Sequence, residues 1–248
     1  MPWTKPSPFG SVSRTCVRMR CPAIRLWLCC ARMPTGGADV SAGGDRILLT
    51  NGGNEVVLVQ ATAGEFQSAR VLPGTWPVAF SPDGSRAVTC YYEAPGNADP
   101  PRGGVDLWNL ADGQLVLRFA VGAYVSALAF SPDGTRLATG SAVAADNLGE
   151  VWVWSLDAGS QDARRFQAGR GAVRCLAFLP DGRHLLAADA WTKTARLWRL
   201  DTGALLRAFE GHPGVITAVA MSPDNRWVAT GTEEGLLLLW DVSDLSGR

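Results

Sequence analysis

The sequence lacks the residues and motifs that most enzymes and metalloproteins require. Among its 248 residues there are only two histidines, His184 and His212. No HExxH pair, nucleophile elbow or phosphate-cradling glycine loop occurs in it. His184 begins an alternating segment, which predicts a packed or surface side chain rather than a catalytic base. The sequence therefore predicts that the protein is not an enzyme.

The chain also lacks an excess of charge of either sign, since 23 basic side chains match 23 acidic ones. The charges are unevenly distributed: residues 1–38 hold six basic and no acidic side chains, and the remainder holds 17 basic and 23 acidic. Nucleic-acid binding needs clustered lysines and arginines on the folded surface. The mildly acidic body therefore argues against a nucleic-acid partner.

Long apolar runs and paired cysteines are absent as well. The apolar segment 23–31 is interrupted by Arg25 and is shorter than the ~18–20 residues that span a bilayer. It is also a poor signal peptide. Four of the six cysteines lie in the basic N-terminal segment without the spacing of a zinc site, and the other two are far apart in sequence. These absences predict no membrane association, no metal, no cofactor and a reducing, cytoplasmic compartment.

What the sequence does contain is a strong internal repeat. The segments AFSPDG, AFSPDG, AFLPDG and AMSPDN begin at residues 79, 129, 177 and 220. A tryptophan follows each segment in phase: Trp108, Trp154, Trp198 and Trp240. Turn residues then precede apolar segments such as LVLRF and LLRAF. A weaker copy begins at Asp45 and has Val59 where the other copies have the tryptophan.

Each repeat predicts four short strands, here called a to d. In the third copy, strand a is expected at 125–130, strand b at 136–140 and strand c at 150–154, with strand d ending at Phe166. Ser-Pro-Asp-Gly turns the chain between a and b, because proline presets φ and glycine accepts positive φ. A single four-stranded sheet cannot bury both faces, so the units are expected to pack around a common axis.

These landmarks resemble the WD-repeat family over about residues 38–248. The resemblance implies an all-β fold, namely a β-propeller of four-stranded antiparallel blades, and the divergence of the repeats suggests a bacterial type. The family's Gly-His and Trp-Asp dipeptides each occur once, at His212 and Trp240. In the family, a histidine, a serine or threonine, an aspartate and the tryptophan form a hydrogen-bond network. The matching residues here are His212, Thr232 and Trp240, with Glu234 where aspartate is usual.

The last repeat stops after strand c. Five copies are visible, at 38–76, 77–121, 122–169, 170–212 and 213–248. Three arrangements fit this count: a small propeller closed by the N-terminal region, an open partial propeller that associates with another chain, and a fragment of a longer gene product. We divide the chain into a basic, cysteine-containing segment at 1–37 and a propeller at 38–248. The segment 1–37 either supplies the closing strand, for which AIRLWLC at 23–29 is the candidate, or is disordered.

The repeats differ most in the loops from b to c and from d to the next a, which are expected to share one face. Insertions occur at 91–104, 142–149 and 190–194. Aromatic and basic residues in these loops are typical of binding hot spots. The candidate partner-binding residues are Trp76, Tyr91, Tyr92, Arg102, Tyr124, Arg170, Trp191 and Lys193. Alternatively, Tyr91 and Tyr92 extend strand b, and Tyr124 packs at a blade junction.

Three functions follow from this reading. The first is a non-catalytic scaffold that binds a protein or peptide through the loop face, which is what the resemblance implies. The second is a sensory or structural module of a larger multidomain protein. The third is a propeller-type hydrolase, which would require convergence of Asp99, Asp146, Glu150 and Asp189 around a metal. The turn and capping roles of these carboxylates explain them without catalysis.

Overall fold

The computed structural model describes residues 37–51, 54–62, 65–93, 102–142, 148–157 and 162–245. Within these ranges the regular structure consists of nineteen strands and one short 3-10 helix, Ser243–Leu245. No helix in the described part of the chain is long and apolar enough to cross a membrane. The candidate closing strand at 23–29 lies outside the described residues.

The strands form five antiparallel sheets, here called blades 1 to 5. Blade 1 contains β1 (Ala38–Val40), β2 (Arg46–Thr50), β3 (Glu55–Thr62) and β4 (Glu65–Pro73). Blade 2 contains β5 (Thr75–Phe80), β6 (Arg86–Glu93), β7 (Arg102–Asn109) and β8 (Leu115–Ala120). Blade 3 contains β9 (Tyr124–Phe130), β10 (Arg136–Ala142), β11 (Leu148–Ser155) and β12 (Ala163–Arg170).

Blade 4 contains β13 (Val173–Phe178), β14 (His184–Asp189), β15 (Ala195–Arg199) and β16 (Leu205–Phe209). Blade 5 contains β17 (Ile216–Met221), β18 (Trp227–Thr232) and β19 (Leu237–Asp241). Sequential strands pair in every blade, so the a to d order is the spatial order. The predicted all-β blade architecture is confirmed, and blade 5 has no strand d among the described residues.

The Ser-Pro-Asp-Gly turns join strands a and b as predicted. In blade 3, the Ser131 hydroxyl donates to Asp133 Oδ1 at 2.5 Å, and the Thr135 N–H donates to the same oxygen at 3.0 Å. These hydrogen bonds stabilise the carboxylate and lower the pKa of Asp133 to about 2. Gly134 has φ +69° and donates its N–H to the Ser131 carbonyl at 2.8 Å, so the turn requires a residue that tolerates positive φ.

Neighbouring blades are held together by apolar faces that pack on each other. Between blades 2 and 3, one shared cluster contains Val88, Leu107, Phe119, Leu137 and Trp154. Equivalent clusters join the other consecutive blades. Burying one such leucine side chain stabilises the fold by roughly 1.5–3 kcal/mol. Since each blade packs on its sequence neighbours, the propeller depends on these junctions.

An arginine reaches across two of the junctions at the end where the a-b turns lie. Arg86 donates from Nη2 to the carbonyl of Gly134 in the next blade, at 2.7 Å. Arg136 in blade 3 donates in the same way to the carbonyl of Gly182 in blade 4. Each arginine follows its own a-b turn, so the repeat itself produces this bond between blades.

His184 occupies the equivalent position in blade 4 and does not continue the series. Its Nδ1 lies 2.7 Å from Asp181 Oδ2 in its own turn, and its Nε2 is buried without a hydrogen-bond partner. A cavity of about 10 Å³ between blades 4 and 5 is lined by His184, Met221 and Asn225, among others. The junction of blades 4 and 5 therefore lacks the arginine bond.

No described residue covers the outer face of blade 5. Leu237 and Leu239 in β19 are each 64% exposed, whereas Val105 and Leu107 at the equivalent positions of blade 2 are fully buried. The strand registers identify the equivalence, because Leu239 pairs with Ala229 as Leu107 pairs with Val88. Within the described ranges, blade 5 therefore packs against a neighbouring blade on one face only.

Candidate functional site

The loop face is the end of the propeller at which strands b and d finish and strands a and c begin. Antiparallel pairing fixes this arrangement in every blade. Contacts between blades tie the face together. The Ser126 hydroxyl in blade 3 donates to the Val173 carbonyl in blade 4 at 2.7 Å, and Lys193 Nζ donates to the Pro213 carbonyl before blade 5 at 2.6 Å.

Three of the predicted aromatic residues lie on this face where blades 1 to 3 adjoin. Trp76 is exposed near the start of β5, and its indole lies against Gly37, where no side chain would fit. Tyr92 near the end of β6 and Tyr124 at the start of β9 are also exposed. Their rings meet edge to face with centroids 6.3 Å apart. The structure therefore brings Tyr92 and Tyr124 together across a blade junction.

Tyr91 is different, because it packs into the blade. Its ring lies 4.5 Å beneath the guanidinium of Arg118 and close to Gly104. Arg118 in turn binds both oxygens of the buried Asp106, at 2.7 Å each. Tyr91 is thus half-buried in a polar cluster and contributes less accessible surface than Tyr92.

The insertion at 91–104 is partly strand rather than loop. β6 continues to Glu93 and β7 begins at Arg102, so the ends of the insertion pair with each other. Residues 94–101 lie outside the described chain, as do 143–147 of the second insertion. The backbone of Arg102 is in β7, and its side chain is also outside the described part.

Trp191 is the most exposed of the predicted aromatic residues, at 60%. The carboxylate of Asp189, which is fully buried, accepts hydrogen bonds from the N–H groups of Trp191 at 3.0 Å and Thr192 at 2.6 Å. Arg196 Nη1 binds the other oxygen of Asp189 at 2.9 Å. The short connection between β14 and β15 is therefore held in one conformation by a buried ion pair.

The indole of Trp191 also lies against the backbone of the connection between blades 3 and 4. Gly171 has φ +74°, and a Cβ there would lie 2.6 Å from Trp191 Cδ1. Arg170 is exposed directly before this glycine. Lys193, with φ +53°, fixes the other side of the turn through its bond to Pro213. The structure thus places Arg170, Trp191 and Lys193 around one short connection.

Blade 5 contains a histidine network, but two of its four predicted members, Thr232 and Glu234, are not part of it. His212 Nδ1 donates to the Lys193 carbonyl at 3.0 Å, which leaves Nε2 to accept from the Thr230 hydroxyl at 2.8 Å. Thr230 Oγ1 in turn accepts from Trp240 Nε1 at 3.0 Å. Burial lowers the pKa of His212, so the neutral ring is favoured in the folded state.

Thr230, not Thr232, is the threonine of this network. Both side chains lie on one face of β18, because they are two residues apart, and sequence spacing alone does not distinguish them. Thr232 Oγ1 is buried without a hydrogen-bond partner. Glu234 is exposed and its carboxylate lies over Gly214 instead of joining the network.

Two further blades have the threonine and tryptophan without the histidine. Trp108 Nε1 donates to Thr89 Oγ1 at 2.9 Å, and Trp154 Nε1 donates to Thr139 Oγ1 at 3.1 Å. In blade 2 the Pro73 carbonyl accepts from Thr89 and takes the place of a histidine. Polar bonds therefore support these blades in addition to apolar packing.

Sequence reasoning missed two ion pairs formed by buried aspartates, Asp106 with Arg118 and Asp189 with Arg196. A charged residue inside an otherwise apolar strand, as in VDLW and ARLW, is the signal that would have found them, since buried charges need partners. Asp189 had been considered only as a turn or capping residue or a possible metal ligand.

Of the four carboxylates considered for catalysis, the two that lie in the described ranges have arginine partners. Glu150 pairs with Arg165 at 3.1 Å, Asp189 is engaged by Arg196, and Asp99 and Asp146 lie outside the described residues. No cluster of three or more histidine, cysteine, aspartate or glutamate residues suited to a metal occurs in the described ranges. Burial raises the pKa of the Cys90 thiol and raises that of Cys175 to about 12, so both stay protonated at neutral pH.

Comparison with known families identifies the repeat. The WD domain, G-beta repeat model matches residues 113–156, 160–199 and 203–241. Each match begins before strand d of one blade and ends with strand c of the next. The third match ends with β19 of blade 5.

Curated relatives share parts of these repeats. Small ribosomal subunit protein RACK1y of rice is 35% identical over 30% of this chain and 22% of its own length. The periodic tryptophan protein 2 homolog of Neurospora crassa is 32% identical over 48% of this chain and 13% of its own. Telomerase protein component 1 of mouse is 31% identical over 52% of this chain and 5% of its own.

The chain thus spans less than a quarter of the length of these relatives. They come from a plant, a fungus and an animal, and they give no support to the expectation of a bacterial type of repeat. The three matched repeats, the blades that they form and the shared segments of these relatives support placing this chain among the WD-repeat proteins.

Proposed function

We propose that the chain is a non-catalytic scaffold that binds a protein or peptide through the loop face. The observation that carries the proposal is Trp191, a largely exposed indole on a connection fixed by the buried pair of Asp189 and Arg196. Tryptophan and tyrosine side chains dominate the binding energy of many interfaces.

The rigidity of the loop face favours binding. Ordering a loop on association costs free energy, and a turn that is already hydrogen-bonded avoids part of this cost. The edge-to-face pair of Tyr92 and Tyr124 and the packing of Trp76 on Gly37 supply further preformed aromatic surface. Together these residues form a surface on which a partner could bury several aromatic rings.

The names of the relatives agree with a role in assemblies, since the rice protein is named as a ribosomal subunit protein and the mouse protein as a telomerase component. For this chain, we propose protein partners rather than nucleic acid, because its body carries more acidic than basic side chains. A reducing, cytoplasmic compartment fits the free thiols of Cys90 and Cys175.

A second candidate is a propeller module of a larger multidomain protein. The observation in its favour is that half of this chain matches only 5% of the mouse telomerase component. An immunoblot of the native source with an antibody against blades 2 to 4 distinguishes the candidates. A band far above 26.3 kDa supports the module, and a band near that mass supports a separate scaffold.

The scaffold is tested by quantitative affinity capture from the native source with three baits. These are the unaltered chain, the double variant Tyr92→Ala/Trp191→Ala, and the control Trp227→Ala. Trp227 is also exposed, but it begins β18 at the opposite end of the propeller. Circular dichroism first establishes that all three chains fold.

We expect specific proteins on the unaltered chain and on Trp227→Ala, and their loss from the double variant. Equal recovery on all three baits would show that the binding surface lies elsewhere. If the unaltered chain captures nothing above a bead control, the scaffold proposal fails.

A further inference from the structure

The neighbourhood of Trp191 is basic. Arg170 ends β12 and Arg174 lies in β13, and both side chains are exposed. Lys193 follows Trp191 by two residues in the same connection. Because Gly171 lies against the indole, the ends of β12 and β13 border the same exposed ring.

Two carboxylates of blades 3 and 4 at this end of the strands are already engaged. Asp189 is buried beneath the connection and is bound by Arg196, and Glu150 in blade 3 pairs with Arg165. Within the described chain, neither Arg170 nor Arg174 makes an ion pair. The exposed charged side chains of β12 and β13 beside Trp191 are therefore basic, although the body as a whole is mildly acidic.

The charges and the ring are held in a fixed relation. Asp189 accepts from two N–H groups of the connection, and Arg196 also donates to the Ala168 carbonyl at the end of blade 3. Asp189 and Arg196 are therefore positioning residues that hold the indole against the basic strand ends. A partner that matches this pattern pays little ordering cost on binding.

We infer that Trp191, Arg170, Arg174 and Lys193 form a binding site for an acidic peptide segment. An apolar side chain of the segment packs on the indole, and flanking carboxylates bind the guanidinium and ammonium groups. This inference rests on the proposed function and adds the chemistry of the partner.

The pattern fits a peptide better than a nucleic acid. Strong nucleic-acid binding needs many phosphate contacts along a basic track. Here only three cations adjoin one indole, and the exposed side chains of Glu210, Glu233 and Glu234, near blade 5, would repel an extended polyanion. A short segment with a few carboxylates around an apolar residue needs no more than these three cations.

The test is selection from a displayed library of random twelve-residue peptides on the full chain. Parallel selections use Arg170→Glu/Arg174→Glu and the control Arg183→Glu, whose exposed side chain lies in the a-b turn of blade 4 at the other end. We expect peptides enriched in aspartate and glutamate around an apolar residue on the unaltered chain and on the control. In fluorescence anisotropy, the double reversal should weaken their Kd by about tenfold or more, and added salt should weaken it further.

Three outcomes would overturn the inference. These are enrichment of peptides that are not acidic, equal affinity of acidic peptides for the double reversal, and preferential binding of a single-stranded RNA oligonucleotide to the unaltered chain. Failure to enrich any peptide would also overturn it. In each of these cases the scaffold proposal still stands if native proteins are captured by the unaltered chain and lost from Tyr92→Ala/Trp191→Ala. Failure of the acidic-peptide inference is therefore distinguishable from failure of the scaffold proposal.

Discussion

The inner blades and the last blade carry similar apolar side chains in different surroundings. Leu107 in blade 2 is completely buried by blade 3, whereas Leu239, at the same repeat position in blade 5, is 64% exposed. A blade of this kind cannot bury both of its faces by itself, so its stability comes from its neighbours. The comparison shows that the junctions between blades, more than the blades themselves, hold the propeller together.

The largest expected effect separates these two leucines. Leu107→Ala should reduce the free energy of unfolding by about 2–5 kcal/mol, because it leaves a cavity between blades 2 and 3. Leu239→Ala should cost less than about 0.5 kcal/mol, because its side chain is largely in solvent. Denaturant unfolding of both variants measures the difference. Equal losses would show that the outer face of blade 5 is covered in solution.

The next effect concerns the bonds between threonine and tryptophan. Thr139→Val should destabilise the protein by about 1–3 kcal/mol, since it leaves the buried indole N–H of Trp154 without an acceptor. The control Thr217→Val alters an exposed threonine and should have little effect. The same unfolding measurement applies. If the two threonines prove equivalent, the indole bond does not support blade 3.

A smaller effect tests the arginine that joins the inner blades. Arg136→His should cost about 0.5–1.5 kcal/mol, because it removes the bond to the Gly182 carbonyl. The reciprocal change, His184→Arg, should raise the melting temperature. The new arginine in blade 4 can donate a hydrogen bond to the carbonyl of Asn225 in blade 5, as Arg136 does to that of Gly182. Calorimetry of both variants measures the two shifts. If His184→Arg lowers the melting temperature, the junction of blades 4 and 5 does not accept the inner geometry.

The smallest expected effect is a pH dependence of blade 5. The pKa of His212 is lowered in the folded state, so the unfolded state binds more protons once the pH falls below about 6.5. The free energy of unfolding should therefore fall, by less than about 1 kcal/mol, between pH 7 and the lowered folded pKa. Urea unfolding at pH 7.5 and 5.5 should show a smaller change for His212→Gln. An identical change in both proteins would exclude His212 as the cause.

The in-phase repeat predicted most of the fold because its signals are local. The Ser-Pro-Asp-Gly turns and the alternating strands follow from short-range rules. Val59 occupies the predicted place of the tryptophan, since it pairs with Ile47 as Trp108 pairs with Ala87. Strand bounds were less accurate. β12 continues to Arg170, beyond the expected end at Phe166, because its last residues pair with the extended β11.

The loop face was predicted only in outline, because its contacts join residues that are distant in sequence. Sequence spacing did not show that Asp189 is paired with Arg196 or that Tyr91 packs under Arg118. Thr230 and Thr232 share one strand face, so only the position of Trp240 and His212 in space identifies the threonine that they bind. Long-range polar pairing, unlike turn chemistry, leaves little trace in a single sequence.

The most direct test of the loop face as the binding surface is hydrogen exchange of the chain with and without a captured partner. We predict slower exchange on binding in the connection that carries Trp191 and around Tyr124, with no change in the a-b turns near Asp83 and Asp133. Protection confined to those turns or to β19 would contradict the central claim that partners bind at the loop face.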